Sequence, residues 1–324
     1  MIRAFVMEAG RLRQVTGLQD LHDRIVWADL VSPTNEEEAL IEQWLGVGIP
    51  TREEMDEIEI SSRLYTENGA FFMTATLPAQ AGNMTQTMGP VSFVLARDRL
   101  VTVRYHEPRA FQTFPQRAEA SDLNCTDGRS VLVGLLEAIV DRLADLLEIA
   151  SRDVIEMASL IFHPTEKKAS KRGIGFQLTL RKIGRKEEFL SNIQDSLVSL
   201  QRLSGFLGAS ALSAKNEHDL KTRVKTLSRD IQSLSAHAES LSQKITFLLD
   251  ATLGMINIEQ NAIIKIVSVA AVVFLPPTLV ASIYGMNFSG MPELGWSFGY
   301  PVALGVMVLA AVLPFWWFKN KGWL

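Results

Sequence analysis

Two runs without a charged side chain, 266–284 and 298–318, dominate the hydropathy pattern. Each is long enough to cross a bilayer core of about 30 Å. Upstream the pattern is mixed. Residues 1 to about 120 alternate short strands with short helices, and 25–30, 70–77, 91–95 and 100–105 carry the β-branched and aromatic residues of strands. Thr51 with Glu54 forms a capping box that opens an acidic helix. Ser32-Pro33 predicts another helix start, with proline at the first helical position.

From about Gly128 the period becomes helical. Leu132, Leu135, Leu136, Ile139, Leu143, Leu146 and Leu147 form one stripe of a helix over 130–160, which His163-Pro164-Thr165 ends. A second helix is predicted over about 166–206, with Gly205, Gly208 and Ser210 marking the next turn. In the third, Leu220, Val224, Leu227, Ile231, Leu234, Ala238, Leu241, Ile245, Leu248, Thr252 and Met255 alternate steps of four and three, a heptad seam. No proline falls between Ala214 and Leu275. A helix running on into the first span is roughly 100 Å long; the alternative is a hinge at Gly254 before the membrane.

A second stripe of that helix reads Asp250, Gly254, Asn257, Asn261, Ile264, Ser268, Ala271, Leu275, Thr278, Ser282, Gly285. Its members are mostly small or polar. Polar groups in a span face a bundle interior or water, whereas small residues also suit dry helix contacts. Amides at consecutive positions of the stripe, Asn257 and Asn261, favour water. One such helix cannot enclose a pore, so a pore requires a symmetric ring of copies. The second span is almost wholly apolar and belongs outside, against lipid. Pro276 and Pro277 free the carbonyls of Val272 and Val273, either for pore water or merely as a kink. Rings of Ile264 and Leu275 suit gating by dewetting. Lys265, one residue off the stripe, either snorkels to headgroups or forms an inner basic ring.

Charge sets topology. Lys319 and Lys321 follow the second span, whereas the loop 285–297 holds no Lys or Arg and one acid, Glu293. The positive-inside rule puts both termini in the cytoplasm and the loop outside, in a bacterial inner membrane or a mitochondrial one. Trp296 and Tyr300 suit the outer interface, Trp316 and Trp317 the inner. The start of the chain has no basic region followed by an apolar core, so no cleavable secretory signal is expected. A formal charge of −4 over 324 residues disfavours nucleic acid as a partner. The single cysteine, Cys125, excludes an internal disulfide and a cysteine-held zinc cluster. No Gly-rich phosphate loop ends in Lys-Ser/Thr, so no nucleotide is implied. The five histidines are dispersed without metal-ligand spacing, and no enzyme is expected.

At the mouth of the first span stands Gly285-Met286-Asn287, where an ion-selecting backbone loop can sit. The stretch Tyr284-Gly285-Met286-Asn287-Phe288, followed by Met291-Pro292-Glu293-Leu294, resembles the signature loop of the CorA family of magnesium channels. The run from Ile256 to Lys265, then Val273 to Ser282, and the ending Lys319-Asn320-Lys321-Gly322-Trp323-Leu324, are similar to proteobacterial members. The motif match covers about residues 240–324; upstream the resemblance is one of layout. It implies an α+β membrane protein: a funnel-shaped homopentamer in the cell inner membrane, each subunit with an N-terminal cytosolic α/β domain, a long helical stalk and two transmembrane helices. The domains are then 1–125 regulatory α/β, 126–212 helical hairpin, 213–284 stalk and first span, 285–297 outer selectivity loop, 298–318 second span, and 319–324 basic tail.

The resemblance further implies influx of Mg²⁺, with Co²⁺ and Ni²⁺ tolerated. Gly285, Met286 and Asn287 form the outer selectivity ring, Asp250, Asn261 and Thr278 line the pore, and cytosolic Mg²⁺ between subunits holds the channel shut. No short motif marks the regulatory sites. Glu53, Glu54, Asp56, Glu57 and Glu59 crowd one short helix and are candidates for them, against the plainer reading of a solvated acidic face. Glu293 raises cation concentration at the outer mouth. The rival readings are a zinc transporter of similar architecture and a non-conducting, membrane-anchored oligomeric scaffold or sensor.

Overall fold

A computed structural model describes residues 1–8, 10–15, 24–81, 85–120, 126–163, 172–211, 218–286 and 290–322. Two compact units emerge, one of residues 1–169 and 178–248, the other of 170–177 and 249–324.

The first unit contains a seven-stranded sheet: β1 (Ile2–Glu8), β2 (Arg11–Val15), β3 (Ile25–Val31), β4 (Leu64–Glu67), β5 (Ala70–Ala81), β6 (Thr85–Ala96) and β7 (Arg99–Arg104). The order is β2-β1-β3-β7-β6-β5-β4. Among the described strands only β3 and β7 pair in parallel, Trp27 opposite Leu100 and Val31 opposite Arg104. The long connection a parallel pair needs is supplied by α1 (Asn35–Leu45), α2 (Arg52–Asp56), α3 (Ile60–Arg63) and the β4-β5-β6 meander. The four expected strands are present as β3, β5, β6 and β7. β1, β2 and β4 escaped the sequence reading, because β2 is an edge strand with a single buried position and β4 has only four residues.

Every residue of β7 from Leu100 to Arg104 is buried, so both faces of the sheet are covered. On one face Val101 and Val103 join Leu30, Ile41, Leu45, Met55 and Phe72. On the other Trp27 stacks on Phe5 at 4.4 Å and meets Phe114 of α4 (Ala110–Ala120) edge-on at 5.9 Å. This second face also holds a charge pair. Arg104 donates to both carboxylate oxygens of Asp29, at 3.0 and 2.8 Å. Thr102 donates to Asp29 at 2.8 Å, and the Trp27 indole to Thr102 at 3.0 Å. Both charged side chains are essentially inaccessible. Each oxygen is bonded, which lets the sheet hold the pair in a low-dielectric layer; removing one partner of such a pair typically costs about 3–5 kcal/mol.

The helix at Ser32-Pro33 begins two residues later than expected. Ser32 is left-handed (φ 45°), and Thr34 caps α1 in a box with Glu37. The reciprocal bonds of Thr34 and Glu37 satisfy two otherwise orphaned N–H groups, which outweighs the proline preference. The Thr51–Glu54 box opens α2 as predicted.

The helical part of this unit packs α5 (Gly128–Phe162) and α6 (Arg172–Phe206) with the first part of α7 (His218–Tyr284). The predicted α5 stripe is buried throughout. Arg223 of α7 forms a two-toothed bridge to Glu137 of α5 at 3.0 and 2.7 Å, and Ser242 of α7 donates to Glu187 of α6 at 2.9 Å. Lys186 of α6 pairs with Asp153 of α5. α6 ends at Phe206 as expected, but the break expected over Gly205, Gly208 and Ser210 is helical instead. Leu207–Ala211 forms a π-helical turn. Leu203 and Leu207, both fully buried, hold the chain in helical register there.

In the second unit α7 continues without interruption through Gly254, Pro276 and Pro277. It ends where Gly285 N–H bonds the Ala281 carbonyl at 2.9 Å. A 3-10 turn, Pro292–Gly295, precedes α8 (Gly299–Asn320).

Candidate functional site

Helices α7 and α8 each contain a window apolar enough to cross a membrane, and only 6% and 11% of those windows are buried within the chain. A water-soluble unit would hide such surface. Phe274, Leu275 and Leu279 of α7 are exposed by 62–70%, and Val308, Leu309 and Trp316 of α8 by 58–62%. This surface calls for lipid or further copies of the chain.

The exposure of α7 is sided. Within the span Val269 is buried, and Val273, Pro276, Pro277 and Val280 are half-buried. The stripe predicted from sequence lies about two residues away in phase, close to half a turn round the helix. Asp250, Gly254, Asn257, Asn261, Ile264, Ala271, Leu275, Thr278, Ser282 and Gly285 are all exposed, and Ser268 is half-buried. From Val269 to Val280 one chain thus shields one side of α7 and leaves the hydroxyl and small-residue stripe open together with Phe274 and Leu279, while residues 260–267 are exposed all round.

Thr278 shows what this side offers. Its hydroxyl donates back to the Phe274 carbonyl at 2.7 Å. With its proton so used, the exposed oxygen can only accept, which suits the water shell of a cation. Asn257 and Asn261 add amide oxygens, and Asp250 one carboxylate further up. Lys265 is exposed beside the stripe.

At the mouth, Gly285 and Met286 are exposed, and Met286 N–H bonds the Ile283 carbonyl at 3.2 Å. A side chain at 285 would place Cβ 3.1 Å from the Ala281 oxygen. Glycine therefore permits the close helix end that presents this loop. Asn287 lies outside the described residues, as does the side chain of Glu293.

The acidic candidates of the first unit are only partly available. They do not share one helix as expected, since α2 ends at Asp56, Glu57 is its C-cap and Glu59 lies beyond it; Glu54 is occupied as the capping partner of Thr51, while Glu53, Asp56, Glu57 and Glu59 are exposed. Among the described residues, no three His, Cys, Asp or Glu side chains of one chain converge on a metal-sized site. The buried Asp29–Arg104 pair was not singled out from sequence. Its signal was there: one acid in the apolar run Ile-Val-Trp-Ala-Asp-Leu-Val and one base ending Arg-Leu-Val-Thr-Val-Arg.

A profile of the family described as CorA-like Mg²⁺ transporter protein matches residues 22–320. The chain belongs to the CorA family. A Magnesium transport protein CorA of Pasteurella multocida is 36% identical over 325 residues, covering 100% of both chains. That of Salmonella typhimurium is 38% identical over 331 residues with the same coverage. The CorA magnesium transporter of Methanocaldococcus jannaschii superposes with a TM-score of 0.80 at 18% identity, over 100% of this chain and 99% of that one. CorA membership accounts for the α/β domain, the long stalk helix and the two spans, and it makes this chain a transporter rather than an enzyme.

Proposed function

We propose that the chain is one subunit of a homopentameric channel carrying Mg²⁺ into the cytoplasm of a bacterial cell, across the inner membrane, with both termini inside. Co²⁺ and Ni²⁺ are tolerated. The carrying observation is the open side of α7: amide, hydroxyl and small residues in phase from Asp250 to Gly285, all exposed but half-buried Ser268, and facing away from the side shielded between Val269 and Val280. The magnesium transport proteins that match end to end at 36–38% identity support magnesium over zinc as cargo.

Mg²⁺ gives up its octahedral waters reluctantly. A pore that passes it should present neutral oxygens to those waters, because a ring of carboxylates would hold the ion too long for conduction. Five copies of Thr278, Asn261 and Asn257 supply such oxygens, and five of Asn287 with the Gly285 and Met286 backbone form the outer collar. Ile264 and Leu275 form apolar rings that dewet when the helices draw together. Asp250 and Glu293 concentrate cations at the two ends. Two charges crossing about 100 mV gain roughly 4.6 kcal/mol, enough to drive influx without a nucleotide.

Gating follows if Mg²⁺ bridges carboxylates of neighbouring cytosolic domains, with Glu53, Asp56, Glu57 and Glu59 as candidates. Occupied bridges favour the closed ring by mass action; emptied ones leave like charges facing each other.

Potential-driven Mg²⁺ uptake into vesicles tests the proposal. Asn287→Ala is expected to abolish most uptake or its selectivity, and Asn261→Ala to lower it severalfold. Unchanged uptake in both variants would refute the pore assignment.

A further inference from the structure

The outer surface of α5 and α6 carries groups that conduction does not use. α6 returns alongside α5, and the bridge from Lys186 to Asp153 fixes their register. Two residues beyond Asp153 stands Ile155, and two residues before Lys186 stands Gly184, so these two share one height along the pair. Each is about 200° round its helix from the bridging side chain, so within one chain they point away from each other. Ile155 is 66% exposed. Gly184 is exposed as well, and a Cβ there would meet nothing within 4 Å. Glycine weakens a helix interior, and no part of its own chain approaches closely enough to require one here. One edge of the pair thus presents an apolar knob and the opposite edge a bare patch of backbone.

Charges surround both. Arg152 and Glu156 of α5, and Arg181, Arg185 and Glu188 of α6, are all exposed, and none of the five forms an ion pair among the described residues. By the same register Arg152 stands within one residue of the height of Glu188, and Glu156 midway between Arg181 and Arg185. Copies in a ring are related by rotation, so one edge of a subunit meets the opposite edge of the next at equal height. We propose that this is a contact between neighbouring copies of the chain: Ile155 of one seats on Gly184 of the next, Arg152 faces Glu188, and Glu156 falls between Arg181 and Arg185. A slip of one helical turn in either direction sets like charges together, Glu156 on Glu188 or Arg152 between Arg181 and Arg185. Burial of Ile155 supplies attraction, and the charges fix register and exclude wrong pairings. The inference rests on the ring of the proposed channel but not on the ion it carries.

Two full-length Cys125→Ala chains, one with Ile155→Cys and one with Gly184→Cys, are co-expressed and their membranes oxidised. A disulfide-linked dimer should form in the mixture and from neither variant alone. Glu156→Arg on the first chain should lower the linked fraction severalfold, and Arg181→Glu with Arg185→Glu on the second should restore it, which separates lost charge from lost folding. No linked dimer in the mixture, or a linked fraction unmoved by Glu156→Arg, would overturn the contact. Linking of the Ile155→Cys chain to itself would show a two-fold face instead and equally overturn it. Thr278→Cys, on the open side of α7, reports the ring separately. Linking at 278 without linking between 155 and 184 refutes this contact and leaves the pore standing, whereas linking between 155 and 184 without linking at 278 upholds the contact and removes the pore. Linking at neither place refutes both.

Discussion

Individual side chains set two sharp limits on this molecule. The first is Gly285, whose missing Cβ would meet the Ala281 oxygen at 3.1 Å. Gly285→Ala should push the helix end aside by a few tenths of an ångström and cut Mg²⁺ uptake at least tenfold, while assembly measured by size-exclusion chromatography stays normal. The second is His106. Its Nε2 bonds the Leu77 carbonyl at 2.9 Å. Burial pushes the imidazole below its ordinary range; the Leu77 bond opposes this, nearby Arg104 adds to it, and Glu107 counteracts. The unfolded chain therefore binds the proton at a higher pH than the folded one. The stabilising contribution is complete above the unfolded value of 6.5 and is lost as pH falls through the lowered folded value. Thermal unfolding should thus move to lower temperature between about pH 7.5 and pH 5.5, and His106→Gln should flatten that dependence.

Among the elements, the joint between the β6–β7 hairpin and α5 is set by close backbone contact. Arg97 and Asp98 both adopt left-handed backbone, as a two-residue hairpin turn requires. Gly128, the first residue of α5, donates to the Asp98 carbonyl at 2.7 Å. A Cβ on Gly128 would fall 2.6 Å from that oxygen and 2.6 Å from the Leu100 nitrogen. Both are backbone atoms that cannot rotate away. Gly128→Ala should destabilise the domain by about 1–3 kcal/mol, the usual cost of overpacking, in denaturant titrations of the solubilised chain. Asp98 also pairs with Arg129 at 3.1 Å, so the turn and the helix start hold one another. The sequence placed this helix start to within two residues. Nothing in it announced that Gly128 was needed for contact with a turn thirty positions earlier, since close approach is a property of packed backbones.

For the whole molecule, the decisive prediction is that the open sides of α7 meet. In a Cys125→Ala background, Thr278→Cys should give oxidative or bismaleimide cross-links between subunits in membranes, whereas Val308→Cys on α8 should not. Cross-linking at position 308 alone would turn the assembly inside out and remove the pore.

The heptad seam, the two spans, the polar stripe and the signature loop were legible in the sequence, because periodicity and apolar length are local properties of a chain. The stripe could be written down from helical spacing alone. That it is left uncovered while the opposite side is shielded depends on how helices pack, and only the structure shows it. Strand order was beyond reach for the same reason. The parallel pairing of β3 with β7 joins residues some seventy positions apart, and the match of Asp29 with Arg104 exists only once that register forms. Sequence determined what each segment is able to be. Tertiary structure decided which faces met, since contact between distant segments has no period to read.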